Sequence, residues 1–300
     1  MRRKPFAVLC VSIALALSAC GSADSKAGSG ESRSDVTATD LSKIEKVEEI
    51  AAMVPEAVKK DGTLTVGNNI YYAPAEFYAA DGKTAQGYDI DLTNALAKVL
   101  GLKADIQQAE FAAIIPAIGS KYEAGIANFS INPERIATVN MIEYFKVGSS
   151  WSTAKGNPKK FDPKSPCGAI VGVQTGTVQD EDIDKLNATC PADKKIQIQR
   201  YNEQSAVTTA LAGGKLVAMY TDSSVAEYAA KITDGATAVA GEPENVAGVG
   251  IIVGKQDAEL TKALQAALQY LIDKGHLKSI FKTWGISEGV AQKAELNPAN

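Results

Sequence analysis

The stretch Lys103–Arg135, "KADIQQAEFAAIIPAIGSKYEAGIANFSINPER", holds the change of period that sets the fold class. "KADIQQ" reads as a strand, "FAAIIPAIGS" as the start of a helix despite Pro116, and "EAGIANFS" as a second strand. Pro133 then leads another helix, since proline suits a helix's first turn. Strand and helix in alternation point to an α/β architecture. Arg135 sits oddly in this scheme, because the first turn of a helix favours anions. Either it is a solvated surface arginine beside Glu134, or it and the free N–H groups of that turn face something negative.

The same alternation continues on both sides. Upstream, Ser42–Lys60 reads as a helix ending at Asp61-Gly62, Thr63–Gly67 as a strand, and Ile90–Leu100 as a helix closed by Gly101. Downstream come strands at Ala169–Gln174, Lys195–Tyr201, Leu216–Thr221 and Val249–Gly254. Helices read at Gln179–Asn187, Gln204–Ala212, Ser224–Lys231 and Asp257–Asp273. In the last of these, Leu260, Ala263, Leu264, Ala267, Leu268, Leu271 and Ile272 form an unbroken apolar stripe, which marks core rather than site.

The N-terminus has a different character. Arg2, Arg3 and Lys4 precede the apolar run Phe6–Leu17, which is too short to span a bilayer comfortably. Leu17-Ser18-Ala19-Cys20 then resembles a lipobox, so residues 1–19 are expected to be a signal peptide and Cys20 a lipidated anchor; an ordinary secretory signal is the competing reading. Residues 20–42, poor in large apolar side chains, are expected to be a disordered tether. Loss of the leader lowers 31 basic residues to 28 against 35 acidic ones, a net charge of −7. That sign opposes binding to nucleic acid. No run of eighteen apolar residues follows the leader.

With Cys10 in the leader and Cys20 as the anchor, Cys167 and Cys190 remain, and in an oxidising compartment they are expected to form a disulfide. A metal site is the competing reading, but no histidine or acidic cluster accompanies them. Catalytic parts are scarce. The single histidine, His276, sits near the C-terminus, and no Gly-x-Ser-x-Gly or phosphate-loop pattern occurs. The four carboxylates within Asp180–Asp184 open a helix and read as a solvated acidic turn.

Polar segments instead gather after strands: Asn69–Pro74, Asn128–Arg135, Thr175–Thr177 and Thr221–Ser224. In open α/β sheets that is the usual place for a ligand. "VGNNIYYAPAEFYAADGKTAQGYDIDLTNALAKVLG", "FAAIIPAIGSKYEAGIANFSINPER", "GVQTGT" and "YTDSSVAEY" follow one another in the order seen in extracellular solute-binding proteins of polar amino-acid ABC importers. The resemblance covers nearly everything from Asp61 to about Gly285.

That resemblance implies a two-lobed periplasmic-binding-protein-like clamp of type II, with a mixed sheet flanked by helices in each lobe and two hinge crossings. The lobes are expected at 43–148 with 249–290 and at 149–248, followed by a tail at 291–300; the crossings are placed near Lys146–Trp151 and Ala247–Gly250. It further implies that Arg135 grips a substrate α-carboxylate, helped by Ser130 and the backbone at Thr177, and that Asp222 accepts the α-ammonium. Tyr72 and Phe111 are expected to wall the apolar stem, with Asn69 and Asn128 facing the side chain. Ala75 stands where the family usually carries a larger residue. Basic-amino-acid binders often place an acid at the position of Asn69, so an uncharged ligand such as glutamine or asparagine is favoured.

The expectation is therefore a monomeric carrier on the outer face of the membrane, working with an ABC permease and its ATPase and needing no cofactor. Physics supports the charge pattern independently, since burying a zwitterion requires a fixed partner for each charge. An amino-acid sensor and a dehydratase-like enzyme on the same fold, with Glu76 or Glu110 as a buried acid, are the alternatives.

Overall fold

The computed structural model describes residues 38–299; the expected signal peptide, Cys20 and most of the tether lie outside them. Helices α1 (Glu48–Ala52) and α2 (Glu56–Asp61) precede β1 (Thr63–Asn68). The single helix expected at 42–60 is thus two, separated at Pro55, whose ring and missing N–H cannot continue the first one. A small antiparallel sheet follows, β2 (Tyr71–Tyr72) inside the polar segment Asn69–Pro74, and β3 (Glu76–Tyr78) and β4 (Ala85–Gln86) in a stretch to which the sequence reading gives no element. Then come α3 (Tyr88–Leu100), β5 (Lys103–Gln108), α4 (Phe111–Ala117), β6 (Ala124–Ser130) and α5 (Pro133–Thr138), close to expectation.

The next strand, β7 (Val139–Ala154), has no counterpart in the sequence reading. After it run β8 (Ile170–Gln174), α6 (Val178–Thr189), β9 (Gln197–Tyr201), α7 (Gln204–Ala212), β10 (Ala218–Asp222) and α8 (Ser223–Ile232). Strand β11 (Thr237–Gly254) is far longer than the segment expected at Val249–Gly254, and α9 (Ala258–Asp273) and α10 (His276–Thr283) follow it.

Eight strands form one ladder in the order β5-β1-β6-β11-β7-β10-β8-β9. The fold is an α/β clamp whose two lobes are joined through β7 and β11. Near Ala247–Gly254, β11 pairs with Val139–Val147 and lies beside β6; near Thr237–Ala240 it pairs with Trp151–Ala154, next to β10. Between these two regions the register slips around Glu244. Glu244 also accepts hydrogen bonds from Trp151 and Tyr220 (3.2 and 3.1 Å), so the crossing carries a specific polar contact.

Each lobe has its own apolar filling. Leu64, Val66, Leu92, Leu96, Ile126, Leu264, Leu268 and Phe281 belong to the larger cluster, and the α9 stripe falls within it as the periodicity predicts. Trp151, Val171, Val173, Ile183 and Ile196 form the core of the other lobe, with Trp151 stacked on Tyr220. The Cys167–Cys190 disulfide borders this second core. The acidic turn at Asp180–Asp184 is less free than expected, because Arg200 pairs with both Asp180 and Asp184 at 2.6 Å.

Both ends of the described chain pack on the larger lobe. Thr39 donates its N–H and hydroxyl to the buried Asp91, which also accepts from Trp284, so packing begins inside the segment expected to be tether. The expected tail also contributes, with Leu296 bridging Ile142 and Ala294 buried.

Gly87 has φ +132°, and a Cβ there would strike the backbone of Ala75 and Glu76. It brings the β2–β3 turn against the first turn of α3, where Asp89 N–H bonds Ala75 O (2.9 Å).

Urea unfolding tests these assignments. Gly87→Ala is expected to cost about 3 kcal/mol or more, because backbone has to move. Gly62→Ala, at φ +70° with open space around it, costs only about 1 kcal/mol. Replacing both Cys167 and Cys190 by serine removes a cross-link over a separation of 23 residues and lowers stability by about 3 kcal/mol.

Candidate ligand-binding site

Between the lobes lies a cavity lined by Tyr72, Phe111, Ala127, Asn128, Ser130, Arg135, Thr177, Val178, Gln179 and Asp222. Seven of the eight expected ligand-binding residues are in that lining; Asn69 is not. The enclosed space leaves about 10 Å³ for the centre of a water-sized sphere, room for roughly one water.

Arg135 reaches the cavity because the chain turns sharply after β6. Asn132 caps α5 by accepting the Arg135 N–H at 2.8 Å, so the helix end satisfies part of its own demand, and the guanidinium is left to point inward. It is buried, with 7% exposure. Nη1 donates to Ser130 O (2.8 Å) and Nη2 to Gly176 O (3.0 Å), the second bond reaching across to the other lobe. The rings of Phe111 and Phe129 lie 5.6 and 5.9 Å from its Cζ and stack on each other. Among the described residues no carboxylate forms an ion pair with Arg135. Burial pulls its pKa down, while Glu181 and Asp222 oppose that shift.

Asp222, at 3% exposure, ends β10 and precedes α8. Its Oδ2 accepts from Tyr72 OH (2.8 Å) and Asn128 Nδ2 (2.7 Å), and its Oδ1 from Gln179 Nε2 (2.7 Å). Burial raises its pKa; the bonds from Tyr72, Gln179 and Asn128 and the nearby Arg135 charge hold it back. No basic side chain forms an ion pair with it among the described residues. The cavity therefore has a buried cation at one place and a buried anion at another, each held by neutral groups.

The remaining expectations fall out unevenly. Asn128, expected to face a side chain, instead touches Asp222, with its own backbone in the left-handed region (φ 51°). Asn69 donates to Ala109 O (2.8 Å) and accepts from Gln174 of the other lobe (2.9 Å), so its amide bridges the lobes beside the cavity. Thr177 caps α6 through its hydroxyl, and its N–H makes only a long bond to Gln174 O (3.4 Å). Gln179 was missed. Its two amide protons hold Asp222 and Ser149 (2.8 Å), yet in the sequence it reads as one more polar residue of an acidic helix start.

A family model for bacterial extracellular solute-binding proteins, family 3, matches residues 64–287. An arginine-binding protein of Corynebacterium glutamicum is 35% identical over 255 residues, covering 84% of this chain and 83% of the relative. Among solved structures, an ancestral arginine-binding protein bound to arginine superposes with a TM-score of 0.69 at 30% identity, over 74% of this chain and 98% of that one. The structure of an ancestral arginine-binding protein bound to glutamine gives 0.68 at 30% identity, covering 74% and 97%. Sequence, fold and the paired buried charges agree, and the chain belongs to the family 3 bacterial extracellular solute-binding proteins.

Proposed function

We propose that this protein captures an L-amino acid with a long polar side chain between its lobes and delivers it to an ABC importer. The observation that carries the reading is a pair of buried charges without ion-pair partners among the described residues, Arg135 and Asp222, in one cavity between the lobes. A zwitterion supplies one partner to each. Its carboxylate meets the planar guanidinium, with Ser130 beside it, and its ammonium meets Asp222. Tyr72 and Phe111 flank the stem.

The cavity is too small for an amino acid at this lobe separation. Entry therefore requires the lobes to part about the β7–β11 crossing, breaking the Tyr72–Asp222, Asn128–Asp222 and Arg135–Gly176 bonds. The ligand then replaces those bonds in the closed state, which is how it favours closure. Asp222 keeps its Gln179 bond throughout, since both residues belong to the same lobe.

For the side chain, arginine is the first candidate because the relative and the ancestral proteins are named for it. Glutamine is the second, favoured by the amides of Asn69 and Gln174 at the lobe seam and by the lack of an acid at residue 69. Cys20 serves as the lipid anchor on the outer face of the membrane, supported by the Leu17–Cys20 sequence.

A thermal-shift screen of the twenty amino acids tests the ligand class. One that binds, at a hundredfold excess over its Kd, adds about 2.7 kcal/mol. Arginine or glutamine is expected to give the largest shift, and a flat screen contradicts the proposal. Arg135→Lys is expected to weaken binding by at least about tenfold in calorimetry, because the bidentate fork is lost. Affinity also falls on acidification. Burial sets the Asp222 pKa above 3.8, so protonation removes the ammonium's partner at a higher pH than for a surface aspartate. Asp222→Asn binds weakly at every pH. Cys20→Ala is expected to move the protein from the membrane fraction to the medium.

A further inference from the structure

Glu76 and Asp89 are both fully buried, at 0% exposure. The Gly87 approach sets β3 against the first turn of α3 and brings the two carboxyl groups within hydrogen-bonding reach of each other. Their surroundings differ sharply. Asp89 Oδ2 accepts the backbone N–H of Asn128 (2.8 Å), and Tyr144 OH lies 2.8 and 2.9 Å from Oδ1 and Oδ2. Neither oxygen of Glu76 receives an N–H or O–H from any other described residue. The ionisable groups that bear on Glu76 are Asp89 on α3, Asp222 at the end of β10, and the phenols of Tyr88 and Tyr144; none is basic.

Two buried carboxylates side by side cannot both stay ionised, and the one with fewer donors takes the proton. An ionised Glu76 would be a buried anion with neither a cation nor a donor, the costliest state available to it. As a carboxylic acid it becomes a donor itself, and Asp89 is an acceptor within its reach.

We propose that Glu76 carries a proton at neutral pH and donates it to Asp89, and that this neutralised pair is a positioning device for Asn128 and, through it, for Asp222. The route is short. Asp89 grips the N–H of Asn128, whose left-handed backbone needs such a hold, and the Asn128 amide reaches Asp222 at 2.7 Å. Tyr88 OH adds a second hold on the same side chain, bonding Asn128 Oδ1 at 3.0 Å. The part concerning Asp222 and its guest rests on the amino-acid reading above; the part concerning the proton does not. Glu76 is not itself among the residues that line the cavity, so it acts through its neighbours. The role also accounts for the acid that sequence analysis singled out as a catalytic candidate.

Infrared difference spectroscopy at pH 7 reads the proton directly. The wild type is expected to show the C=O stretch of an un-ionised carboxylic acid, shifting in D2O and vanishing in Glu76→Gln. Absence of the band, or its survival in Glu76→Gln, overturns the proposal whether or not any amino acid binds. Positioning is read from Glu76→Gln, which keeps a donor, and Glu76→Leu, which keeps volume alone. The glutamine variant is expected to match wild type in amide exchange at Asn128 and to bind the amino acid within about threefold. The leucine variant exchanges faster at Asn128 and binds about tenfold more weakly. Equal behaviour of the two variants defeats the positioning role. If Glu76→Leu does not fold, the infrared comparison and the glutamine variant still decide.

Discussion

A guanidinium and a carboxylate, both taken out of water and neither given a counter-ion by the described residues, are the constraint around which this molecule is arranged. Removing an ion from water costs several kcal/mol even after relaxation. Here, among the described residues, the direct contacts that offset the cost are neutral: two main-chain carbonyls for Arg135, and a phenol and two amides for Asp222. The two charges also attract each other across the cavity without forming an ion pair. Local structure serves that placement. The Asn132 cap and the turn after β6 aim Arg135 inward, while the β10–α8 junction holds Asp222 at the mouth of the other lobe. A dipolar guest would complete both charges at once.

The framework also explains how such a site can open. The two strands that join the lobes are the longest among the described residues, and at their middle the ladder slips and serines replace apolar residues. Packing there is polar and local, whereas each lobe keeps a separate apolar core. Separation about this region breaks the hydrogen bonds that bridge the cavity and its rim, together with the apolar contacts that Val225 and Tyr228 of α8 make to the larger lobe. Tyr72–Asp222, Tyr72–Thr221, Asn128–Asp222, Arg135–Gly176, Asn69–Gln174 and Glu110–Asn202 are bonds of that kind.

Much of this was legible in the sequence, and the exceptions have physical reasons. Strands buried on one side and amphipathic helices such as α9 declare themselves by period. Strand β7 does not, because it is buried almost throughout and its Gly148-Ser149-Ser150 run looks like a loop. Strand β11 was cut short by Gly241-Glu242-Pro243, which reads as a turn but continues as an irregular, exposed part of the strand. Arg135 was noticed because it violates a rule about helix ends, and Asp222 because it follows a strand in a polar cluster. Gln179 and Asp89 escaped notice, since a polar residue that works by holding another leaves no period and no motif. Asn69 was expected to face a ligand side chain, and the bonds of its amide to Ala109 O and to Gln174 of the other lobe left no trace in the sequence.

Titration calorimetry with modified ligands bears most directly on the two-charge account. Once the best-binding amino acid is known, its methyl ester removes the carboxylate charge and its N-acetyl derivative removes the ammonium, with the side chain unchanged. Each deletion leaves one buried protein charge unpartnered, and each is expected to weaken binding by about a hundredfold or more. Retention of affinity within about tenfold by either derivative would contradict the account.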